Sequence, residues 1–183
     1  MTNGKQILIV DGDTTLVETL SEQLQMHEEF DPVSAASGAE ALELSKREIY
    51  DIIILDVGLP DMDGRVVCRL MRRNGVLSPI IMLMGADADL DITLSLDAGA
   101  NDCVTKPFRL RVLMARLREH IRQHEHSAAA AFTIGPYMFQ PANKLLLNTA
   151  ENKRVRLTDK EMAILKYLCR AGDRIVGRDV LLD

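Results

Sequence analysis

The stretch Asp51-Ile-Ile-Ile-Leu-Asp-Val-Gly-Leu-Pro-Asp-Met-Asp-Gly64 contains four consecutive aliphatic residues that end on an acid. Residues 7–10 and 80–83 are two further runs of four apolar residues, and an acid follows the first of them. A short, continuous apolar run bounded by polar residues is typical of a strand that is covered on both faces, as in a parallel sheet. These three runs therefore predict the central strands of a sheet that has helices on both sides.

The segments between these runs alternate in a regular way. Weaker strand signals lie at residues 32–35 and 102–105, and five amphipathic segments with apolar residues at three- or four-residue spacing separate the strands. Five strands that alternate with five helices predict an α/β fold with a doubly wound parallel sheet and right-handed crossovers. Folds of this class place their functional sites at the carboxyl ends of the strands.

Composition and charge indicate two soluble domains. The chain has 183 residues, of which 47% are hydrophobic and 27% charged. It has no apolar run near the roughly 20 residues that span a bilayer, so we expect a cytoplasmic protein. Residues 1–126 carry 13 Lys and Arg against 21 Asp and Glu, whereas residues 127–183 carry 9 against 6. This change of sign beside the alanine-rich residues 127–131 predicts a linker between an acidic and a basic domain.

Charged residues follow three of the predicted strands. Asp11 and Asp13 follow the first strand, Asp56 the third and Lys106 the fifth, so all should meet at one edge of the sheet. Clustered carboxylates suit Mg²⁺, an aspartate can attack a phosphoryl group, and an ammonium can bind a phosphoryl oxygen. The alternative is that the three aspartates only cap the helices that follow them.

Three motifs resemble the receiver domain of two-component response regulators: residues 7–13, residues 51–64 and residues 99–108. The resemblance implies a five-stranded, flavodoxin-like fold in which Asp56 accepts phosphate from a sensor histidine kinase. It also implies that Asp11, Asp56 and the Gly58 carbonyl hold Mg²⁺, that Lys106 binds the phosphoryl group, and that the bond before Pro107 is cis.

Three residues depart from the receiver pattern. Gly12 stands where receivers usually have a second acid that touches Mg²⁺, and Asp13 is an uncertain replacement because successive side chains diverge. Met84 replaces the switch hydroxyl and cannot donate a hydrogen bond to a phosphoryl oxygen, and Cys103 replaces the switch aromatic residue. We therefore expect weak Mg²⁺ binding and weak or absent control by phosphate.

Residues 133–183 resemble the start of the winged-helix effector domain of OmpR/PhoB-type transcription factors. Short strands are predicted at 134–139, 144–148 and 154–157, and Thr158 with Glu161 forms a capping box before a helix. The predicted domains are a receiver at 1–123, a linker at 124–131 and a partial winged helix at 132–183. Because the chain ends before a recognition helix, specific DNA binding is doubtful, and the sequence is either a fragment or naturally truncated.

The same family resemblance implies a homodimer through the fourth helix, fifth strand and fifth helix. Asp97, Asp102 and Arg116 match positions that form salt bridges between subunits, whereas Leu94 and Val112 fall where a charge pair is usual. An apolar pair there can be neutral or favourable for association, and would fit a dimer that does not require phosphate. The alternative is that both side chains turn inward.

The sequence thus predicts a non-enzymatic response regulator that controls transcription, with Asp56 as phosphoacceptor and DNA as partner if the winged helix is complete. The rival hypothesis is a phosphorylation-independent dimerisation module without specific DNA binding. A hydrolase is disfavoured because no general acid or base is evident beside Asp56.

Overall fold

The computed structural model describes residues 4–27, 29–86, 89–127 and 131–171. The chain divides into two compact units, Met1–His124 and Glu125–Asp183. In the described segments, no helix combines the length and the apolar composition needed to cross a bilayer.

The first unit is a five-stranded parallel sheet with order β2-β1-β3-β4-β5. Strands and helices alternate along the chain in the order β1 Lys5–Val10, α1 Thr14–Gln25, β2 Phe30–Ala35, α2 Gly38–Arg47, β3 Ile52–Asp56, α3 Gly64–Arg73, β4 Ile80–Met84, α4 Asp89–Asp97, β5 Asp102–Thr105 and α5 Leu110–Ser127. This confirms the predicted doubly wound α/β fold. Helix α5 runs to Ser127, four residues into the stretch predicted as a linker.

The apolar runs bury alternate residues on opposite faces of the sheet. On one face Leu8 and Ile53 belong to a core that includes residues of α2 and α3, and on the other Ile7 and Ile54 belong to a core with residues of α1 and α5. Strands β1 and β3 pair in register, with Val10 opposite Leu55. Helices cover both faces of the sheet, which explains why these strands are continuous apolar runs. Because the strands are parallel and in register, their carboxyl ends lie side by side.

Polar side chains fix the beginnings of the helices near this edge. The Asp13 carboxylate accepts a hydrogen bond from the Leu16 backbone N–H (3.1 Å), which caps α1. Ser37 caps α2 by accepting from the Glu40 backbone N–H (3.2 Å). Each of these bonds satisfies an N–H that has no partner within its helix.

The second unit contains an antiparallel sheet with order β6-β7-β8-β9 followed by a helix. Its elements are β6 Phe132–Ile134, β7 Tyr137–Gln140, a 3₁₀ turn Pro141–Asn143, β8 Leu145–Asn148, β9 Lys153–Arg156 and α6 Asp159–Ala171. The prediction of one strand over 134–139 was wrong, because Gly135, at φ +56°, and Pro136 form a turn between two strands. The predicted capping box is present: the Thr158 hydroxyl accepts from the Glu161 N–H (3.3 Å), and the Glu161 carboxylate accepts from the Thr158 N–H (2.8 Å).

Candidate functional site

The carboxyl ends of β1, β3 and β5 bring three charged residues of the first unit together. Asp56 is the last residue of β3, Asp11 directly follows β1 and Lys106 directly follows β5. Both carboxylic acids are buried, with Asp11 3% and Asp56 7% exposed. The side chains that the sequence placed at one edge are therefore in contact.

The Lys106 ammonium lies between the two carboxylates. Its Nζ is 2.6 Å from Asp11 Oδ2 and 2.8 Å from Asp56 Oδ1. Burial by itself would lower the pKa of Lys106, but the hydrogen bonds and charges of Asp11 and Asp56 outweigh burial and raise that pKa above its usual value. The lysine is thus held protonated, and its charge is shared between two buried acids.

Asp13 contacts Asp11 through its backbone, and Gly58 lies beside Asp56. The Asp13 side chain is exposed and caps α1, so for this residue the structure supports the capping alternative. Its backbone N–H donates to Asp11 Oδ1 (2.9 Å), which orients that carboxylate. A Cβ placed on Gly58 would lie 3.3 Å from Asp56 Oδ2, so the backbone of Gly58 runs alongside the carboxylate.

The donor set at this edge suits Mg²⁺, although it is small. Mg²⁺ is commonly held by one or two carboxylates together with water and phosphate oxygens, and Asp11 and Asp56 supply two buried carboxylates. The described segments contain no group of three or more His, Cys, Asp or Glu side chains placed to hold a metal. Gly12 offers no side-chain ligand, and a Cβ there would lie 3.0 Å from Pro60 Cδ.

The two switch positions carry side chains that are engaged in the core. Met84 ends β4 and is 1% exposed, and its carbonyl accepts from the Lys106 N–H (2.7 Å). Cys103 lies on β5 beside Met82 and is half-buried against the core. Burial, reinforced by the nearby Asp102 charge, raises the pKa of the Cys103 thiol. The Met84 thioether has no hydrogen-bond donor, and the largely protonated Cys103 thiol provides one weak hydrogen-bond donor.

The residues predicted for a dimer face are mostly on the surface. Leu94 and Val112 are 44% and 45% exposed, which excludes the alternative that they turn inward. Ile92 and Leu96 are exposed as well, so the sequence prediction that they form the apolar, core-facing side of the fourth helix was wrong. Their spacing was a usable signal, because residues at positions i, i+2 and i+4 of a helix cannot all face one core.

Asp102 and Arg116 form a salt bridge within one chain. The Arg116 guanidinium is 2.6 Å from Asp102 Oδ2, and His120 Nε2 is 3.1 Å from the same oxygen. Burial would raise the pKa of Asp102, but these partners lower it below its usual value. Asp97 is exposed and has no ion-pair partner among the described residues.

Two residues that tie loops of the first unit together were not found from the sequence. Asp61, in the loop that follows Asp56, accepts hydrogen bonds from the backbone N–H groups of Gly38 (2.8 Å) and Ala39 (2.9 Å), and these bonds lower its pKa. This ties the loop to the start of α2. The other residue is Arg72, whose hydrogen-bond acceptors all lie in the loops that precede β4 and β5, at the edge of the sheet opposite the site.

The first unit is a doubly wound parallel sheet with two buried acids and a lysine at its carboxyl edge, which is the arrangement expected of a receiver domain. Residues 7–118 match the response regulator receiver domain family. The chain belongs to this family and is a response regulator of the OmpR/PhoB type.

Relatives align along nearly the whole chain. The Bacillus subtilis alkaline phosphatase synthesis transcriptional regulatory protein PhoP is 34% identical, over 98% of this chain and 78% of its own length. The DNA-binding response regulator MtrA of Mycolicibacterium smegmatis is 36% identical over 100% of this chain and 78% of its own length. The Thermotoga maritima OmpR/PhoB homologue DrrB superposes with a TM-score of 0.60 at 27% identity, over 98% of this chain and 78% of that one.

Proposed function

We propose that this chain acts in a two-component phosphorelay that controls transcription, with Asp56 as the phosphoacceptor and a sensor histidine kinase as the donor. The observation that carries the proposal is the Lys106 ammonium held between Asp11 and Asp56 at 2.6 and 2.8 Å. The proposed receiver is residues 1–123 and the proposed linker is residues 124–131, of which 124–127 continue α5. Residues 132–183 are proposed to belong to a winged-helix domain directed at DNA.

The chemistry follows from these groups. An Asp56 carboxylate oxygen attacks the phosphorus of a phosphohistidine, an aspartyl phosphate forms, and the phosphorus–nitrogen bond breaks so that its electron pair returns to the imidazole. Lys106, already beside Asp56 Oδ1, supplies a positive charge for an oxygen of the incoming phosphoryl group. Mg²⁺, held by Asp11, Asp56 and the Gly58 carbonyl, would neutralise further charge on that group.

We further propose that phosphate has little control over the conformation of this receiver. A ligand shifts an equilibrium only by as much as its contacts differ between the two states. Met84 is buried and has no hydrogen-bond donor for a phosphoryl oxygen. Cys103, at the position of the switch aromatic residue, has no ring that could move when phosphate binds. The exposed apolar side chains Leu94 and Val112 then support a dimer that forms without phosphate.

Gly12→Asp should strengthen Mg²⁺ binding on the order of tenfold, because a third carboxylate joins Asp11 and Asp56 at the metal position. The Pro60 ring must move by a few tenths of an ångström to admit the new Cβ. We expect the Mg²⁺ concentration that half-saturates Asp56 labelling by acetyl phosphate to fall accordingly, with Asp56→Asn as the unlabelled control. If the Mg²⁺ dependence is unchanged, the lack of an acid at position 12 is not the cause of weak Mg²⁺ binding.

Leu94→Asp should weaken association of the unphosphorylated chain on the order of tenfold, because it places a charge in an apolar contact. Sedimentation equilibrium would measure the dimer dissociation constant. Val66→Asp is a matched control, since Val66 is 42% exposed on α3, outside the proposed face. If the unmodified chain is monomeric and dimerises only after ready labelling of Asp56, the phosphate-independent part of the proposal is wrong.

A second candidate is a dimerisation module that works without phosphorylation and without specific DNA contact. Two observations favour this candidate. Met84 and Cys103 replace the hydroxyl and the aromatic residue that would respond to phosphate, and Leu94 is exposed on the proposed dimer face. Titration of Asp56 labelling against Mg²⁺ separates the two candidates, because only the phosphorelay requires a labelled aspartate.

A further inference from the structure

We propose that Asp61 is a positioning residue for the phosphoacceptor site. It holds the β3–α3 loop, residues 57–63, so that the Gly58 backbone stays beside the Asp56 carboxylate. Asp61 follows Asp56 in the chain and acts through the backbone of this loop, not on the reacting atoms. The inference rests on the proposed function, in which the Gly58 carbonyl binds Mg²⁺ together with Asp11 and Asp56.

Backbone hydrogen bonds close the base of the β3–α3 loop. The Val57 N–H donates to the Leu83 carbonyl of β4 (3.0 Å), and the Gly64 N–H donates to the Val57 carbonyl (2.8 Å). Gly58 and Asp63 form an isolated antiparallel β-bridge across the loop. These bonds fix the two ends of the loop, so the conformation of the residues between Gly58 and Asp63 depends on other contacts.

The Asp61 carboxylate joins the middle of the β3–α3 loop to the start of α2. Its Oδ1 accepts a hydrogen bond from the Gly38 N–H (2.8 Å), and its Oδ2 accepts from the Ala39 N–H (2.9 Å). The first N–H groups of a helix have no partner within the helix and favour a carboxylate. The two segments are in close contact, since a Cβ on Gly38 would lie 2.7 Å from Met62 Cγ. Helix α2 is itself held in the core through Ala41, which is fully buried.

A movement of the β3–α3 loop would reach the proposed metal position by two routes. A Cβ on Gly58 would lie 3.3 Å from Asp56 Oδ2, so the Gly58 backbone is adjacent to that carboxylate. A Cβ on Gly12 would lie 3.0 Å from Pro60 Cδ, so the Pro60 ring rests against the residue that follows Asp11. Mg²⁺ requires near-ideal octahedral geometry, and a displaced carbonyl ligand would weaken its binding. Loss of the tie between the loop and α2 should therefore lower the affinity for Mg²⁺.

The alternative is that Asp61 only caps α2 and has no effect on the site. Ser37 provides a matched control, because its hydroxyl caps the same helix by accepting from the Glu40 N–H (3.2 Å) and Ser37 lies outside the β3–α3 loop. Asp61 is exposed and Ser37 is partly exposed, so replacing either one with alanine removes capping hydrogen bonds and little packing. Only Asp61→Ala also releases the loop.

The test is a titration of the full chain with MgCl₂ and no phosphodonor, followed by the NMR shifts of the backbone amides of residues 56–58. We expect the Mg²⁺ dissociation constant to rise about tenfold in Asp61→Ala, as when a group that orients a metal ligand is removed. Ser37→Ala should stay within about twofold of the unmodified protein, because it weakens only a helix cap. Asp61→Asn loses the charge but keeps one acceptor oxygen, so its dissociation constant should rise less. Circular dichroism verifies that each variant is folded.

Several results would overturn the proposal. They are an absence of Mg²⁺-dependent shifts in the unmodified protein, an unchanged dissociation constant in Asp61→Ala, and an equal rise in Asp61→Ala and Ser37→Ala. An equal rise in Asp61→Ala and Asp61→Asn would show that the carboxylate acts only through its charge. The titration is independent of phosphotransfer. If acetyl phosphate does not label Asp56 while Mg²⁺ binding still depends on Asp61, the phosphorelay is wrong and the positioning role stands.

Discussion

Lys106→Met should lower the free energy of unfolding at pH 7 by about 3 kcal/mol, measured by urea denaturation in EDTA. The substitution keeps most of the apolar stem of the side chain and removes the ammonium that binds Asp11 and Asp56. Both acids are buried, and removing one partner of a buried ion pair typically costs 3–5 kcal/mol. The lower end applies because the Lys106 side chain is 28% exposed, so water reaches it in part.

Asp56→Asn provides the control for this prediction. In the Lys106→Met background it removes one of the two uncompensated charges, and most of the lost stability should return. Two results would contradict the prediction: Lys106→Met as stable as the unmodified protein, or no recovery of stability when Asp56→Asn is added to Lys106→Met. Either would show that repulsion between Asp11 and Asp56 does not destabilise the fold when Lys106 is absent.

The contribution of Lys106 should also depend on pH in one direction. Its pKa is raised in the folded state by Asp11 and Asp56, so its stabilising effect is fully present below the ordinary lysine pKa of about 10.4 and is lost as pH rises through the folded value. The stability difference between the protein and Lys106→Met should therefore be constant between about pH 7 and 9 and shrink above about pH 10.5.

Arg72→Met should be at least as damaging, with a loss of about 3–4 kcal/mol in the free energy of unfolding. The mostly buried Arg72 guanidinium donates to the carbonyls of Gly99 (2.9 Å), Val76 (2.8 Å) and Ser78 (2.8 Å) and to Asn101 Oδ1 (2.8 Å). Each buried acceptor left without a donor costs roughly 1–3 kcal/mol, and entry of water recovers part of the sum. Chemical denaturation measures the loss.

Two variants test whether the loss comes from the hydrogen bonds of Arg72 and not from a general change of charge. Arg73→Met removes the exposed neighbouring guanidinium and should change stability by less than about 0.5 kcal/mol. Arg72→Lys should recover only part of the loss, because an ammonium lacks the planar fork that reaches acceptors on two loops. Equal effects of Arg72→Met and Arg73→Met would contradict the assignment.

The fold of the first unit and the meeting of Asp11, Asp56 and Lys106 could be predicted because they depend on local patterns. Continuous aliphatic runs identify strands buried on both faces, and the carboxyl ends of parallel strands share one edge. The strand over 134–139 was wrong because a two-residue turn at Gly135 and Pro136 interrupts an apparently continuous alternation.

Other features could not be predicted because they depend on which loops meet in space. The sequence did not decide whether Asp13 binds Mg²⁺ or caps α1. The hydrogen bond from the Leu16 N–H to its carboxylate supports the capping role. The pairing of Asp102 with Arg116 inside one chain depends on the rotation of α5 against β5. The partners of Arg72 lie 4 to 29 residues away in the sequence, and no periodicity connects them.

By itself, the sequence determined the order of strands and helices, the family, and the three charged residues at the carboxyl edge, since burial of apolar runs and strand direction follow from residue spacing. Only the tertiary structure decided how charges are shared: Lys106 lies between two acids, and Arg116 pairs with Asp102. Electrostatic pairing depends on distances of a few ångströms between residues remote in sequence, and only the packed fold sets those distances.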